Sequence, residues 1–168
     1  MYVLSTKNCS LAMLPVLTAA MLFQACGGGG DAVAQILDDA DPVVGVWESA
    51  VAIRDCASGA TLRTFKGLTV LHRGGTASGT NSMPPAGQSP AFGTWKAQTT
   101  PSSYTATFRF YRFNADGTLA GAQSVARTIT LGADRNSITG TISVQVLDAA
   151  NNPLGPPGCG IETTTRIG

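Results

Sequence analysis

One segment near the C-terminus alternates apolar and polar residues, and this alternation restricts the chain to β structure over residues 137–147. Its apolar face consists of Ile138, Gly140, Ile142, Val144 and Val146, and its other face carries hydroxyl and amide side chains. Because successive side chains of a strand point to opposite faces, such a segment buries one face and exposes the other. The pattern predicts a half-buried antiparallel strand.

Seven further segments share this β-branched and aromatic character. They are residues 43–55, 62–72, 76–81, 92–98, 104–113, 119–131 and 160–167. No convincing helical periodicity interrupts them, and the links at 114–117, 133–136 and 151–153 are rich in residues that tolerate tight hairpins. Eight sequential strands with short links predict an all-β fold, a single antiparallel up-and-down barrel, whose closure removes exposed strand edges.

The N-terminal residues 1–25 have the organisation of an export signal. Lys7 precedes an apolar run at 11–23, which is too short to span a bilayer comfortably. Residues 22–26 (LFQAC) resemble the lipobox at which bacterial signal peptidase II cleaves, although Phe23 departs from the usual aliphatic residue. The resemblance implies cleavage before Cys26 and attachment of a lipid to that cysteine. The alternative is an ordinary secretory peptide with an incidental cysteine.

The four glycines that follow Cys26 favour the lipoprotein interpretation, because a lipid-anchored domain needs a flexible tether. We therefore expect residues 26–41 to be a linker and residues 42–168 to be one barrel domain. A diacylglyceryl group plus an acyl chain is sufficient for stable membrane anchoring. By resemblance to bacterial lipoproteins, Gly27 favours sorting to the outer membrane, so the expected location is the cell envelope.

The net charge of the processed chain does not indicate a particular class of binding partner. Loss of Lys7 leaves ten basic and ten acidic residues. A neutral chain has no basic surface for nucleic acid and no polybasic membrane patch. We expect contact with the membrane through the lipid alone.

Two cysteines remain after processing, because Cys9 leaves with the signal peptide and Cys26 carries the lipid. An even pair in an exported domain predicts a disulfide between Cys56 and Cys159. Cys56 follows the first strand and Cys159 precedes the last, so the two would meet where a closed barrel pairs those strands. A metal site or catalytic thiol is the alternative, with only His72 to assist.

Gly45 and Trp47 in the first strand, with Arg166 in the last, resemble the lipocalin pattern of the calycin superfamily. There a Gly-x-Trp motif closes the barrel base with its indole against a late arginine. The resemblance covers residues 42–168 and implies structural roles for all three residues. Avidin-like and fatty-acid-binding barrels are relatives that remain open, and Gly93-Thr94-Trp95 is a second copy of the motif.

Two arginines fall on faces that alternation assigns to the barrel interior. Arg127 shares a face with apolar residues, and Arg112 shares one with Tyr104 and Phe108. A buried arginine needs a carboxylate, carbonyls or an anionic ligand. One hypothesis is that Arg112, Arg127 and Tyr104 converge on an acidic head group, in a cavity walled by Trp47, Ile142, Val144, Phe108 and Phe110. The other, which we favour at this point, is that both arginines extend to water at the barrel ends.

The catalytic inventory is poor, since His72 is the sole histidine and no nucleophile, phosphate-binding or metal-binding motif occurs. We expect a protein without enzymatic activity, metal or cofactor. The first hypothesis is a binding module for a small apolar or acidic amphiphile. The second is a structural or interaction lipoprotein whose filled barrel supports surface loops such as the proline-rich residues 82–90.

Overall fold

The structure is a computed structural model that describes residues 41–168. Eight β-strands follow one another within this range, and a single 3-10 turn at Pro85–Gly87 is its one helical element. The strands are β1 (Gly45–Arg54), β2 (Thr61–Leu71), β3 (Thr76–Asn81), β4 (Ala91–Ala97), β5 (Ser103–Phe113), β6 (Leu119–Leu131), β7 (Ser137–Leu147) and β8 (Gly158–Arg166). The predicted all-β class is confirmed.

The strands close into one antiparallel barrel. Each strand pairs with the next along the chain, and β8 returns to pair with β1. The closing register runs from Trp47 opposite Arg166 to Arg54 opposite Cys159. Closure gives every strand two neighbours, which satisfies its backbone groups on both sides. The predicted up-and-down barrel of eight strands is thus confirmed.

Alternation along β6 shows how the sequence selects the interior. Arg127, Ile129 and Leu131 are buried, whereas Thr128 and Thr130 between them are exposed. Threonine is well suited to the outer face, since its branched side chain favours strands and its hydroxyl meets water.

The barrel has two different ends. We call the end where β1 begins and β8 ends the base, and the opposite end the mouth. The hydrophobic core fills the base half and comprises Val43, Trp47, Leu71, Ala77, Tyr104, Ala106, Phe108, Ile129, Leu131 and Ile138. At the mouth, the loop at 82–90 lies along the end of β5, where Ser89 donates its N–H to the carbonyl of Tyr111 at 3.0 Å.

Candidate ligand-binding site in the barrel interior

The base is closed by Trp47, Arg166 and the segment that precedes β1. The Trp47 indole N–H donates to the carbonyl of Val43 at 2.9 Å, and the Arg166 guanidinium carbon lies 4.1 Å from the centre of the indole ring. Arg166 also donates to the carbonyls of Val44 at 2.8 Å and Arg135 at 3.0 Å. The structure therefore brings together the tryptophan and the late arginine, and their contacts are structural.

Gly45 is required by the same closure. Its φ of +151° is one that side-chain-bearing residues rarely adopt, and a Cβ built there would lie 2.2 Å from Nη1 of Arg166. A glycine two residues before Trp47 thus leaves space for the guanidinium on the indole.

Tyr104 belongs to the base and not to a ligand site. Its hydroxyl donates to Asp41 Oδ1 at 2.7 Å, and its ring packs edge-to-face with Trp95 at a centroid distance of 5.9 Å. Burial, with a further contribution from the Asp41 carboxylate, raises the pKa of Tyr104 to about 12. The phenol therefore stays protonated and holds the segment before β1 against the core.

Arg127 lies inside the barrel in a buried ion pair with Glu162. Nε donates to Oε1 at 2.8 Å and Nη2 donates to Oε2 at 2.6 Å, so that the two planar groups meet in the bidentate arrangement. Nη1 donates to the Thr69 hydroxyl at 3.2 Å, and the guanidinium carbon lies 5.5 Å from the centre of the Phe108 ring. The side chains of Arg127 and Glu162 are 7% and 1% exposed.

Sequence reasoning missed Glu162 as the partner, although a signal for it exists. Arg127 on an inner face requires a counter-charge, and the chain has two glutamates, both within strands. Glu48 alternates with the buried Trp47 and so faces outward, where it bonds Lys66. Of the two glutamates, only Glu162 could therefore have been predicted as the partner of Arg127.

Gly140 makes room for the carboxylate. It lies opposite Glu162 in the β7–β8 register, and a Cβ there would lie 2.8 Å from Oε1 of Glu162 and 2.5 Å from the carbonyl oxygen of Thr128. The glycine within an otherwise β-branched strand thus allows a charged group to lie flat against the wall.

A cavity of about 110 Å³ extends from the ion pair toward the mouth. Arg127, Glu162, Thr69 and Ser49 form its polar floor. Its apolar walls include the predicted residues Phe108, Phe110, Ile142 and Val144. Trp47 does not line the cavity, because its indole seals the base.

Arg112 and Tyr104 are not brought together with Arg127. Both lie on the inward face of β5, but they are eight residues apart, which corresponds to roughly 26 Å along an extended strand. Tyr104 is at the base and Arg112 is at the mouth, and neither lines the cavity. Alternation assigned their face correctly, but it carries no information about their level along the barrel.

Cys56 and Cys159 form the predicted disulfide, with a Cα–Cα distance of 5.3 Å. The bridge joins the turn after β1 to the beginning of β8 at the mouth. The disulfide prediction is confirmed, and the bridge fastens the seam at the end opposite Trp47 and Arg166.

Several predictions fall on residues outside the described range, namely the signal peptide at 1–25, Cys26 and the linker up to residue 40. Within residues 41–168, no helix is long and apolar enough to cross a membrane. In the same part of the chain, no three His, Cys, Asp or Glu side chains converge in a way that could hold a metal ion.

No protein-family model matches this sequence, and neither does any curated protein. Among solved structures, the chain is similar to the crystal structure of Rv2717c from M. tuberculosis, with 14% sequence identity and a TM-score of 0.37. The match covers 79% of this chain and 98% of that chain.

Proposed function

We propose that this chain is a lipid-anchored protein of the bacterial cell envelope whose calycin-like barrel binds one small molecule. The observation that carries the binding function is the cavity, since an eight-stranded barrel can equally be filled by its own side chains. Here the side chains fill the base half, and a cavity of about 110 Å³ borders the buried ion pair.

The cavity volume limits the ligand. An apolar cavity of about 150 Å³ holds benzene, whereas sites for drug-sized molecules measure about 300–1,000 Å³. The part of the ligand that enters this barrel therefore has at most about six non-hydrogen atoms. A larger amphiphile would insert only one end.

The polar floor favours an uncharged group at the inner end of the ligand. Glu162 neutralises Arg127, and three of the five guanidinium N–H groups are bonded to Glu162 and Thr69. The remaining two can donate to a carbonyl or hydroxyl oxygen. A carboxylate at the floor would meet the charge of Glu162, so we place the acidic group of an amphiphile elsewhere.

We propose no catalytic activity for the cavity. Both carboxylate oxygens of Glu162 accept hydrogen bonds from Arg127, so this carboxylate already has a structural partner. His72 lies at the base end and bonds the Ser78 hydroxyl at 2.9 Å. A general base must lie within hydrogen-bond reach of the proton that it removes.

The anchoring proposal places the base at the tethered end. The chain enters the barrel through Asp41 and Val43, which pack against Tyr104 and Trp47. A linker from Cys26 therefore joins the base, and the mouth is the end remote from the tether. Metabolic labelling with a palmitate analogue tests the lipid, and the label should disappear in Cys26→Ser.

Binding can be tested by titrating the purified protein with butan-1-ol and recording amide chemical shifts. We expect saturable shifts in residues that line the cavity. Val144→Phe should abolish them by filling the cavity, and Val46→Phe, the same substitution on the outer face, should leave them unchanged. If Val144→Phe unfolds the barrel, the milder substitution Ala91→Val replaces it, because Ala91 lines the same cavity and the change adds less volume. Shifts that do not saturate, or that survive both cavity variants, would exclude the site.

A second candidate function, an interaction protein, is favoured by the outer face near the mouth. Phe92 is 66% exposed and Tyr111 is 54% exposed on adjacent strands. Large exposed apolar side chains in proximity are typical of protein contact surfaces. Cross-linking in cells, compared between the native chain and Phe92→Ser, would detect such a partner.

A further inference from the structure

We propose that the ligand is an anion whose charged group is held at the mouth by Arg63 and Arg112, with its small uncharged part in the cavity. This inference rests on the proposed binding function and names the class of ligand. The sequence suggested that Arg112, Arg127 and Tyr104 could all meet the acidic group, and of these three only Arg112 does so in this inference.

Arg112 is an inward arginine without a counter-charge. On β5 it follows Phe110, which lines the cavity, and it pairs with Gln88, which also lines it. Its Nη1 atom is buried and has no hydrogen-bond partner. A buried donor without an acceptor is destabilising and rare in native proteins. An anionic oxygen at the mouth would satisfy it.

Arg63 supplies a second cation at the same end. It lines the cavity from β2, opposite Ile53 of β1, and its side chain is exposed. Its guanidinium carbon lies 5.9 Å from the centre of the Phe65 ring, which orients it along the cavity wall. Residues 41–168 contain two salt bridges, Lys66–Glu48 and Arg127–Glu162, and neither involves Arg63 or Arg112.

The aspartates at the mouth accept hydrogen bonds from backbone N–H groups within their own turns. Asp55 accepts from the backbone N–H of Ser58 at 2.7 Å, and Asp116 accepts from that of Thr118 at 2.9 Å. Asp148 accepts from the N–H of Asn152 at 2.8 Å. These local bonds organise hairpin turns and direct the carboxylates away from the barrel interior.

The charge balance of the cavity follows from these contacts. Glu162 cancels Arg127 at the floor, so that Arg63 leaves the lining with one net positive charge at the mouth. A cleft of one sign with low-dielectric walls focuses its field and attracts ions of the opposite sign. Arg63 lines the cavity together with Gln88 of the loop at 82–90, and Gln88 pairs with Arg112. A guanidinium fork suits a carboxylate or sulfonate.

The test compares four probes with the same unbranched four-carbon chain: butanoate, butanamide, butan-1-ol and butylammonium. Each is titrated into the purified protein at low salt, with amide chemical shifts as the readout. We expect butanoate to bind about tenfold more tightly than butanamide, as charge-assisted hydrogen bonds imply, and butylammonium to bind most weakly. The preference for butanoate should fall in 1 M NaCl.

Variants separate the two arginines from a general charge effect. Arg63→Gln and Arg112→Gln should each reduce the preference for butanoate over butanamide. The double variant should abolish it. Arg109→Gln removes the same charge from the exposed outer face of β5 and should leave it unchanged. Arg63 is exposed, so its variant remains informative even if Arg112→Gln fails to fold.

The outcomes distinguish this inference from the proposed function. If butan-1-ol and butanamide bind but butanoate gains nothing, the cavity is a ligand site and the anion proposal is wrong. The same conclusion follows if the preference persists in the double variant. If none of the four probes binds, the binding function fails, and the anion proposal fails with it.

Discussion

The Arg127–Glu162 pair gives the sharpest quantitative prediction, because both groups are buried and each satisfies the other. Glu162→Leu removes two charge-assisted hydrogen bonds, of 2.8 and 2.6 Å, each worth about 1.5–3 kcal/mol. The sum matches the loss of about 3–5 kcal/mol that is typical when one member of a buried pair is removed. Water from the adjacent cavity can reach Arg127, so we expect about 3 kcal/mol.

Arg127→Met should cost more, about 4–5 kcal/mol, since Glu162 is the more deeply buried partner at 1% exposure. The double variant should lie within about 1 kcal/mol of the native protein, because two apolar side chains of similar volume replace two charges. The two single losses together exceed the loss of the double variant by about 6 kcal/mol or more, and a double-mutant cycle should give that coupling energy.

Urea unfolding followed by tryptophan fluorescence measures these free energies. The exposed Lys66–Glu48 pair is a matched control, since its separation of 2.7 Å is nearly the same and its side chains are 72% and 44% exposed. Lys66→Met and Glu48→Leu should have little effect, because solvent screens exposed pairs. Single-variant losses at Arg127 and Glu162 as small as in the control, or losses that simply add, would refute the reasoning.

Three further predictions concern the two ends of the barrel. Cys56→Ala/Cys159→Ala opens a loop with a sequence separation of 103 and should lower the free energy of unfolding by about 4–5 kcal/mol, measured by urea unfolding of both forms. The raised pKa of Tyr104, about 12, favours the protonated phenol in the folded state. Its contribution to stability is therefore complete below pH 10, the ordinary pKa of tyrosine, and is lost as the pH rises toward 12. Tyr104→Phe should remove this part of the alkaline dependence of the urea midpoint. Gly45→Ala should cost about 1–3 kcal/mol, because φ is +151° and the guanidinium of Arg166 must move, whereas Gly87→Ala, with open space around it, should leave the melting temperature nearly unchanged.

The strands and their closure were predictable because a half-buried sheet has a strict period of two. β5, β6 and β7 begin and end within one residue of the predicted bounds. β1 begins at Gly45 and not at Val43, since residues 41–44 form a turn in which the N–H of Val44 donates to the carbonyl of Asp41. The carbonyl of Val43 then accepts a hydrogen bond from the Trp47 indole N–H. No local sequence pattern encodes this contact.

The site was predictable only in part, because alternation reports a side chain's face and not its level or its neighbours. It placed Arg127 inside, but β7 separates Arg127 on β6 from Glu162 on β8. Their approach depends on the register of two strand pairs. The cavity was even harder to predict from the sequence, because its volume is the small difference between the volume of the barrel interior and the volume of the side chains that fill it.

Stability alone does not account for a charged pair in the middle of this barrel. Replacing such pairs by apolar residues is often neutral or stabilising, and the base shows that this chain can fill its interior with apolar side chains. A pair of leucines at 127 and 162 would extend that core toward the mouth and remove the hydrogen-bonding floor. The pair also needs Gly140, which weakens β7. The proposed binding function gives this charged floor a use, since it supplies hydrogen-bond donors to a ligand. We therefore expect the stable double variant to lose butan-1-ol binding while keeping the fold.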